Sequence, residues 1–219
     1  SPLFPECFVT VVPPQMQDGP NWFQGTADAV CQNLNLVLSH HSDMVLVFGA
    51  DHVYRMDVGQ MIDFHLQRAA DVTIAAVPVP LDRASDFGIV EVEPDGRVSC
   101  FFGKPARPRP LPDDPARAFA SMGNYVFKTC ELLHTLREGR RQKETDFGCQ
   151  VLPRLLEEHR VFAYDFSRNE LPGLKSYEES AYWRDVGTID TFFEAHQDTL
   201  GSEPLVDRFN PDWPIFSSR

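Results

Sequence analysis

Two runs of apolar residues do most to limit what this chain can become: Met44-Val45-Leu46-Val47-Phe48 and Val72-Thr73-Ile74-Ala75-Ala76-Val77. Neither alternates with polar residues. Each therefore reads as a strand buried on both faces, as in a sheet covered by helices on either side. Both are too short to span a bilayer. Between them, Asp57 caps a helix running to about Arg68, with Met61, Ile62, Phe64 and Leu66 as its apolar positions. Upstream, Thr26 reads as the N-cap of an amphipathic helix over 27–39, with Val30, Leu34, Val37 and Leu38 apolar. A β-rich run at 8–12 comes before it and is stopped by Pro13-Pro14. Strand, helix, strand, helix, strand is the order of an α/β fold whose parallel strands are joined by right-handed crossovers. Ligands of such sheets sit at the carboxyl ends of strands. Asp51 stands at one of those ends.

The middle of the chain changes character. Residues 87–93 and 98–102 flank Pro94-Asp95-Gly96-Arg97, which predicts a β-hairpin with an Asp-Gly turn. Pro105, Pro108, Pro110, Pro112 and Pro115 then mark a long irregular surface loop. Residues 120–127 return to strand. Residues 130–137 and 147–158 read as helices, 161–164 as a short strand and 189–200 as a last helix. The expectation is one domain over 1–200 and a Pro-rich connector over 201–219.

Composition narrows the function. Of 219 residues, 42% are hydrophobic, enough for a large core, so a disordered chain is excluded. The formal charge of −12 argues against nonspecific nucleic-acid or anionic-membrane binding, which needs a basic face. Any anionic ligand must be held by a few local basic groups. The five cysteines, Cys7, Cys31, Cys100, Cys130 and Cys149, are odd in number and irregularly spaced. That favours reduced thiols and a cytoplasmic protein over a disulfide framework or a zinc cluster.

Several residues could carry chemistry. Asp51, directly after an apolar strand, either holds Mg²⁺, which takes oxygen ligands and bridges phosphates, or caps a turn. Asp185, in Tyr182-Trp183-Arg184-Asp185-Val186-Gly187-Thr188, either joins it as a second metal carboxylate or pairs with Arg184 or caps the helix at Thr188. Lys104 is either a point charge for a phosphate or a solvated turn lysine. Gly25-Thr26, at a helix start, either offers backbone N–H groups to an anion or is a simple cap. His52 is either a base or a structural hydrogen-bonding residue.

Taken together, these stretches resemble bacterial-type ADP-glucose pyrophosphorylases, the glucose-1-phosphate adenylyltransferase family. The resemblance lies in Asn21-Trp22-Phe23-Gln24-Gly25-Thr26-Ala27-Asp28-Ala29-Val30, Ala50-Asp51-His52-Val53-Tyr54-Arg55-Met56-Asp57, Phe87-Gly88-Ile89-Val90, Gly103-Lys104-Pro105, 120–127, Asp146-Phe147-Gly148 and 182–188, in the family's order. It implies a Rossmann-like nucleotidyltransferase domain: a mostly parallel mixed sheet flanked by helices, with an inserted β-hairpin. It also implies the reaction of ATP with glucose 1-phosphate to give ADP-glucose and pyrophosphate in glycogen synthesis, with Mg²⁺ as cofactor. A homo- or hetero-oligomer is implied as well, commonly a tetramer. By the same resemblance, Asp51 and Asp185 hold the metal and Lys104 contacts the sugar phosphate. Gly88, Gly103 and Ser121 line the sugar-phosphate pocket, and Phe23, Gly25 and Thr26 lie near the substrates. Relative to the family pattern, Gly103 replaces a Glu that binds sugar hydroxyls, Phe23 replaces a Tyr, and Ala50 replaces a Gly. The chain is expected to start downstream of the family's Gly-rich triphosphate loop and to stop before its C-terminal β-helix. These departures keep open a catalytically degenerate paralogue that binds sugar phosphate or nucleotide, or that acts as a regulatory subunit.

Overall fold

The computed structural model describes residues 9–14, 16 and 21–215. The predicted helix over 27–39 is two helices, α1 (Thr26–Gln32) and α2 (Leu34–Ser39). Asn33 breaks it: its side chain donates to the Ala29 carbonyl at 2.8 Å, competing with the backbone ladder. Next come β1 (Met44–Val47), β2 (His52–Tyr54), α3 (Val58–Gln67) and β3 (Val72–Pro80). Asp57 caps α3 as expected, accepting from the Gly59 N–H at 2.9 Å. The hairpin is β4 (Gly88–Val92) and β5 (Val98–Gly103), followed after the proline loop by β6 (Arg117–Lys128) and α4 (Thr129–Gln142). The helix expected over 147–158 opens as a π-turn at Phe147–Val151 and becomes α5 (Leu152–Glu158). The order closes with β7 (Val161–Asp165), β8 (Trp183–Asp185) and α6 (Ile189–Gln197), whose Thr188 and Thr191 form a reciprocal capping box.

The mixed α/β sheet expected from the sequence is present, in the order β5-β4-β6-β3-β7 with β1 also on β6. Strands β1, β3, β4 and β7 run one way, and β5 and β6 the other. Yet β3 and β7 form the only parallel ladder among the described residues, because β6 stands between β1 and β3. The predicted strand at 8–12 does not appear: 9–12 have no regular structure, and Phe8 lies outside the described residues.

Alternation on the strands builds two cores. Val72, Ile74, Ala76, Tyr125 and Phe127 pack with α1, α4 and α5 residues such as Leu132, Leu136 and Leu155. Ala75, Val77, Ala118, Ala120, Met122 and Val126 pack on the other face with Met61 of α3, Phe166 and Trp183. Residues 201–215 contain no helix or strand but are tied to the domain. The Glu179 and Val206 N–H groups donate to the carbonyls of Leu205 and Asp198, and the Asn210 amide donates to the Pro172 carbonyl. No helix among the described residues is long and apolar enough to cross a membrane. None of Cys31, Cys100, Cys130 and Cys149 is in a disulfide.

Candidate functional site

The site begins with an interruption in β6. From Ile74 to Ala76, β3 advances two residues while β6 advances four, from Tyr125 back to Ser121. Two extra residues in β6 make a bulge and leave the parity of both faces intact. Gly123, at φ +70°, lets the chain turn there. On the opposite edge of β6, β4 pairs at Phe119 and Ala120, and β1 pairs only from Tyr125 onward. Ser121 to Asn124 therefore lack a strand partner on that edge. The opening lies where β1 ends and β4 begins, and the Gly49 N–H reaches across it to the Gly123 carbonyl at 3.2 Å.

Residues far apart in sequence converge on this opening. Gly88 starts β4 and is paired with Gly103, the last residue of β5. Lys104 follows at φ +51°, with its N–H donated to the Phe87 carbonyl at 3.1 Å. The Ser121 hydroxyl accepts from the Gly123 N–H at 3.3 Å and lies near the Tyr125 phenol. Burial pushes that phenol up to about 12, and the nearby Asp146 and Cys149 add to the rise. Burial, reinforced by Asp146, likewise pushes up the Cys149 thiol. A Cβ on Gly103 would stand 3.3 Å from Cys149 Sγ, which places the thiol beside the glycine.

Gly25 and Thr26 are brought to the same side by a direct chain-to-chain approach. Thr26 does not act as the predicted N-cap; Gly25 holds that position without a side-chain bond. The Thr26 hydroxyl instead donates to Asp146 Oδ2 at 3.1 Å and accepts from the Phe147 N–H at 3.1 Å. The Ala27 and Asp28 N–H groups donate to the Thr145 carbonyl at 2.9 and 3.0 Å. The Ala27 and Asp28 donors at the helix start are thus already taken. Gly25 is required by proximity: its Cβ would meet the Thr145 oxygen at 2.4 Å. Phe23 lies half-buried just before α1.

The two segments that carry the candidate carboxylates meet in a ribbon that the sequence does not announce. Strands β2 and β8 pair antiparallel, with His52 opposite Asp185, and the Val186 N–H donates to the Asp51 carbonyl at 3.0 Å. Asp51 is exposed, and its Oδ1 lies 3.7 Å from His52 Nε2. Asp185 Oδ1 accepts from the Gly187 N–H at 2.8 Å; Arg184 pairs instead with Glu179 and Asp198, and Thr188 itself caps α6, so Asp185 takes neither local role read from the sequence. The His52 ring lies against Trp183, with centroids 5.1 Å apart, and a Cβ on Gly123 would stand 3.4 Å from it. Around this bulge, His52 Nδ1, Trp183 Nε1 and both side-chain polar atoms of Asn124 are buried without a hydrogen-bond partner. The Tyr54 hydroxyl comes near the Asn124 amide without reaching that geometry. Orphaned polar atoms at one spot are typical of a place that receives a ligand or water. Sequence reasoning passed over Asn124, Tyr125, Asp146 and Trp183; their position inside the quoted segments was the available signal.

Among the described residues no group of three or more His, Cys, Asp or Glu forms a metal cluster. Carboxylates on adjoining segments are the hard oxygen donors that suit a cation completing its shell with phosphate and water oxygens. A cavity of about 400 Å³ lies elsewhere. Phe64, Pro78, Val92, Phe119 and Tyr164 are part of its wall, and none of the candidate site residues lines it.

An opening beside strand ends is where open α/β sheets take their ligands. The nucleotidyl transferase family profile matches residues 6–202, and the chain belongs to that family. It is 54% identical over 213 residues to the glucose-1-phosphate adenylyltransferase of Thermodesulfovibrio yellowstonii, covering 97% of this chain and 52% of the relative. It is 46% identical over 213 residues to that of Anaeromyxobacter dehalogenans, covering 96% and 51%. It is 46% identical over 216 residues to that of Thermus thermophilus, covering 95% and 51%. The chain spans about half the length of the curated relatives it matches.

Proposed function

We propose that this chain forms the sugar-phosphate and metal side of a glucose-1-phosphate adenylyltransferase site. The observation that carries the reading is the convergence of Gly88, Gly103, Lys104, Ser121, Asp51 and Asp185 on the β6 opening, in a chain whose relatives bear that name. In the reaction, a phosphate oxygen of glucose 1-phosphate attacks the α-phosphorus of ATP. The new P–O bond forms as the α–β bridge breaks, and pyrophosphate leaves with the electron pair. Such transfers depend on positioning and charge neutralisation more than on covalent help from the protein.

The side chains divide that work. Lys104, directly after β5, meets the sugar phosphate as a point charge. Ser121 and the flat Gly88–Gly103 floor leave room for the sugar ring. Asp51 and Asp185 would hold Mg²⁺, which supplies charge neutralisation on the phosphates when bound. The fit rests on two hard oxygen donors carried on adjoining backbone segments, one of them exposed.

Calorimetric titration with glucose 1-phosphate, ADP-glucose and Mg-ATP, alongside a pyrophosphate-release assay, tests the proposal. Binding with release of pyrophosphate supports an enzyme. Binding without turnover favours the sugar-phosphate-binding or regulatory reading, to which the side-chain-free Gly103 already inclines. No binding by the folded chain contradicts both.

A further inference from the structure

The ribbon that carries Asp51 and Asp185 is small. It has three residues on each strand and forms a sheet of its own, separate from the six-stranded one. Two-stranded ribbons of this size are marginal without outside support. That support comes from two consecutive carboxylates, Glu178 and Glu179, each gripping one strand.

Arg55, directly after β2, donates through Nη2 to Glu178 Oε1 and through Nη1 to the Asp207 carbonyl at 3.0 Å. The pair is buried, with side-chain exposures of 7% and 0%. Glu178 also accepts from the N–H groups of Lys175 and Asp207, both at 2.9 Å. Burial alone would raise its carboxyl, but these donors and the guanidinium outweigh it and hold the group below the usual range. On β8, Arg184 forks onto Glu179 at 2.7 and 3.1 Å and reaches Asp198 at 3.1 Å. Asp198 also accepts from the Tyr182 hydroxyl at 3.0 Å. Arg55 is four residues past Asp51, and Arg184 immediately precedes Asp185.

We infer that Glu178 and Glu179, through Arg55 and Arg184, are positioning residues that set the register of the β2–β8 ribbon and so the spacing of the two metal carboxylates. The inference rests on the metal reading of Asp51 and Asp185. Because Asp207 contributes both its N–H and its carbonyl to the same clamp, residues 205–207 are locked to the site as well. Outer residues that orient metal ligands typically alter metal affinity about 10- to 100-fold when changed.

Mn²⁺ binding followed by electron paramagnetic resonance tests this on the unchanged chain, on D185N and on two staple variants. R184K keeps the charge but loses the fork. The double variant R55M/E178M removes both buried charges together, so neither is left unpaired. The expected result is a loss of about tenfold or more in Mn²⁺ affinity in both staple variants. The melting temperature of R184K should stay close to that of the unchanged chain, and both variants should show faster amide exchange at Val186. Staple variants that bind Mn²⁺ like the unchanged chain, while D185N loses it, overturn the inference and leave the metal reading standing. D185N binding Mn²⁺ like the unchanged chain, or no Mn²⁺ binding by any of them, overturns the metal reading and the inference with it. If R55M/E178M fails to fold, R184K decides.

Discussion

Gly25→Ala isolates the contact that joins the start of α1 to the 145–147 segment. Gly25 has φ 168°, extended backbone that alanine adopts without strain, so the cost of the substitution is steric. The new Cβ would meet the Thr145 oxygen at 2.4 Å and its carbonyl carbon at 2.9 Å, both backbone atoms. Moving the oxygen out even to a tight contact near 3.0 Å means a displacement of about 0.6 Å. The Ala27 and Asp28 N–H bonds to that oxygen, now 2.9 and 3.0 Å, would lengthen to about 3.5 Å, past useful range. At about 1 kcal/mol each they account for about 2 kcal/mol. Strain on the two Thr26 hydroxyl bonds adds about 1 kcal/mol. Against this stands a gain of about 0.4–1 kcal/mol from the stiffer unfolded chain. The net is a destabilisation of about 2 kcal/mol. With a urea m-value of about 3 kcal/mol/M for a chain of this size, the midpoint should fall by about 0.7 M. Gly96→Ala is the control: at φ +84° with nothing within 4 Å, it meets conformational strain alone. A Gly25→Ala midpoint equal to that of the unchanged chain would refute the close-approach account of this glycine.

Three further outcomes follow from named contacts. Gly103→Glu places a Cβ 3.3 Å from Cys149 Sγ, and the exposed thiol can turn aside. Glucose 1-phosphate affinity should therefore rise about tenfold, as one added hydrogen bond of about 1–1.5 kcal/mol would give; unchanged calorimetric affinity in the folded variant contradicts the sugar-pocket placement. Phe127→Ala removes a fully buried ring packed on Phe147 with centroids 5.6 Å apart, so urea unfolding should show a loss of about 3–5 kcal/mol. Acid should destabilise the fold in two stages. Burial, helped by Lys128, depresses His65, so its contribution is complete above the unfolded value of 6.5 and fades as pH falls through that value toward the folded one. Glu178 and Asp71, whose hydrogen bonds and cationic partners outweigh burial, are also depressed. Their contribution is complete above the ordinary carboxylate values of 4.5 and 3.8 and fades below them. A melting temperature flat from pH 7 to about pH 3 would contradict these assignments.

The parts of the fold legible in the sequence are those that local chemistry dictates. The continuous apolar runs gave β1 and β3, Asp57 gave the start of α3, and the Asp-Gly turn gave the hairpin. The parts that were not legible depend on distant partners. Three-residue strands such as β2 and β8 leave too little pattern to read, and only their pairing makes them strands. The bulge in β6 is a mismatch between two strands, invisible in either alone, although Gly123 hints at it. Asn33 divides a periodic apolar stretch because its side chain finds a nearer carbonyl. Residues 9–12 have strand composition but no partner, and Val9 and Val11 are 86% and 85% exposed. At the site, the sequence marked Asp51, Asp185, Lys104, Ser121 and the glycines. It did not show that the Thr145 carbonyl takes the helix-start donors, or that Glu178 and Glu179 brace the carboxylate ribbon, since both rest on contacts across many intervening residues.

The most direct test of the central claim is the Mg²⁺ dependence of ADP-glucose binding, measured by calorimetry on the unchanged chain and on D51N and D185N. If the two carboxylates hold the cation against the phosphates, Mg²⁺ should tighten ADP-glucose binding to the unchanged chain at least about tenfold, and each substitution should abolish that gain. Binding that ignores Mg²⁺, or that keeps its full Mg²⁺ dependence in D51N and D185N, would contradict the account.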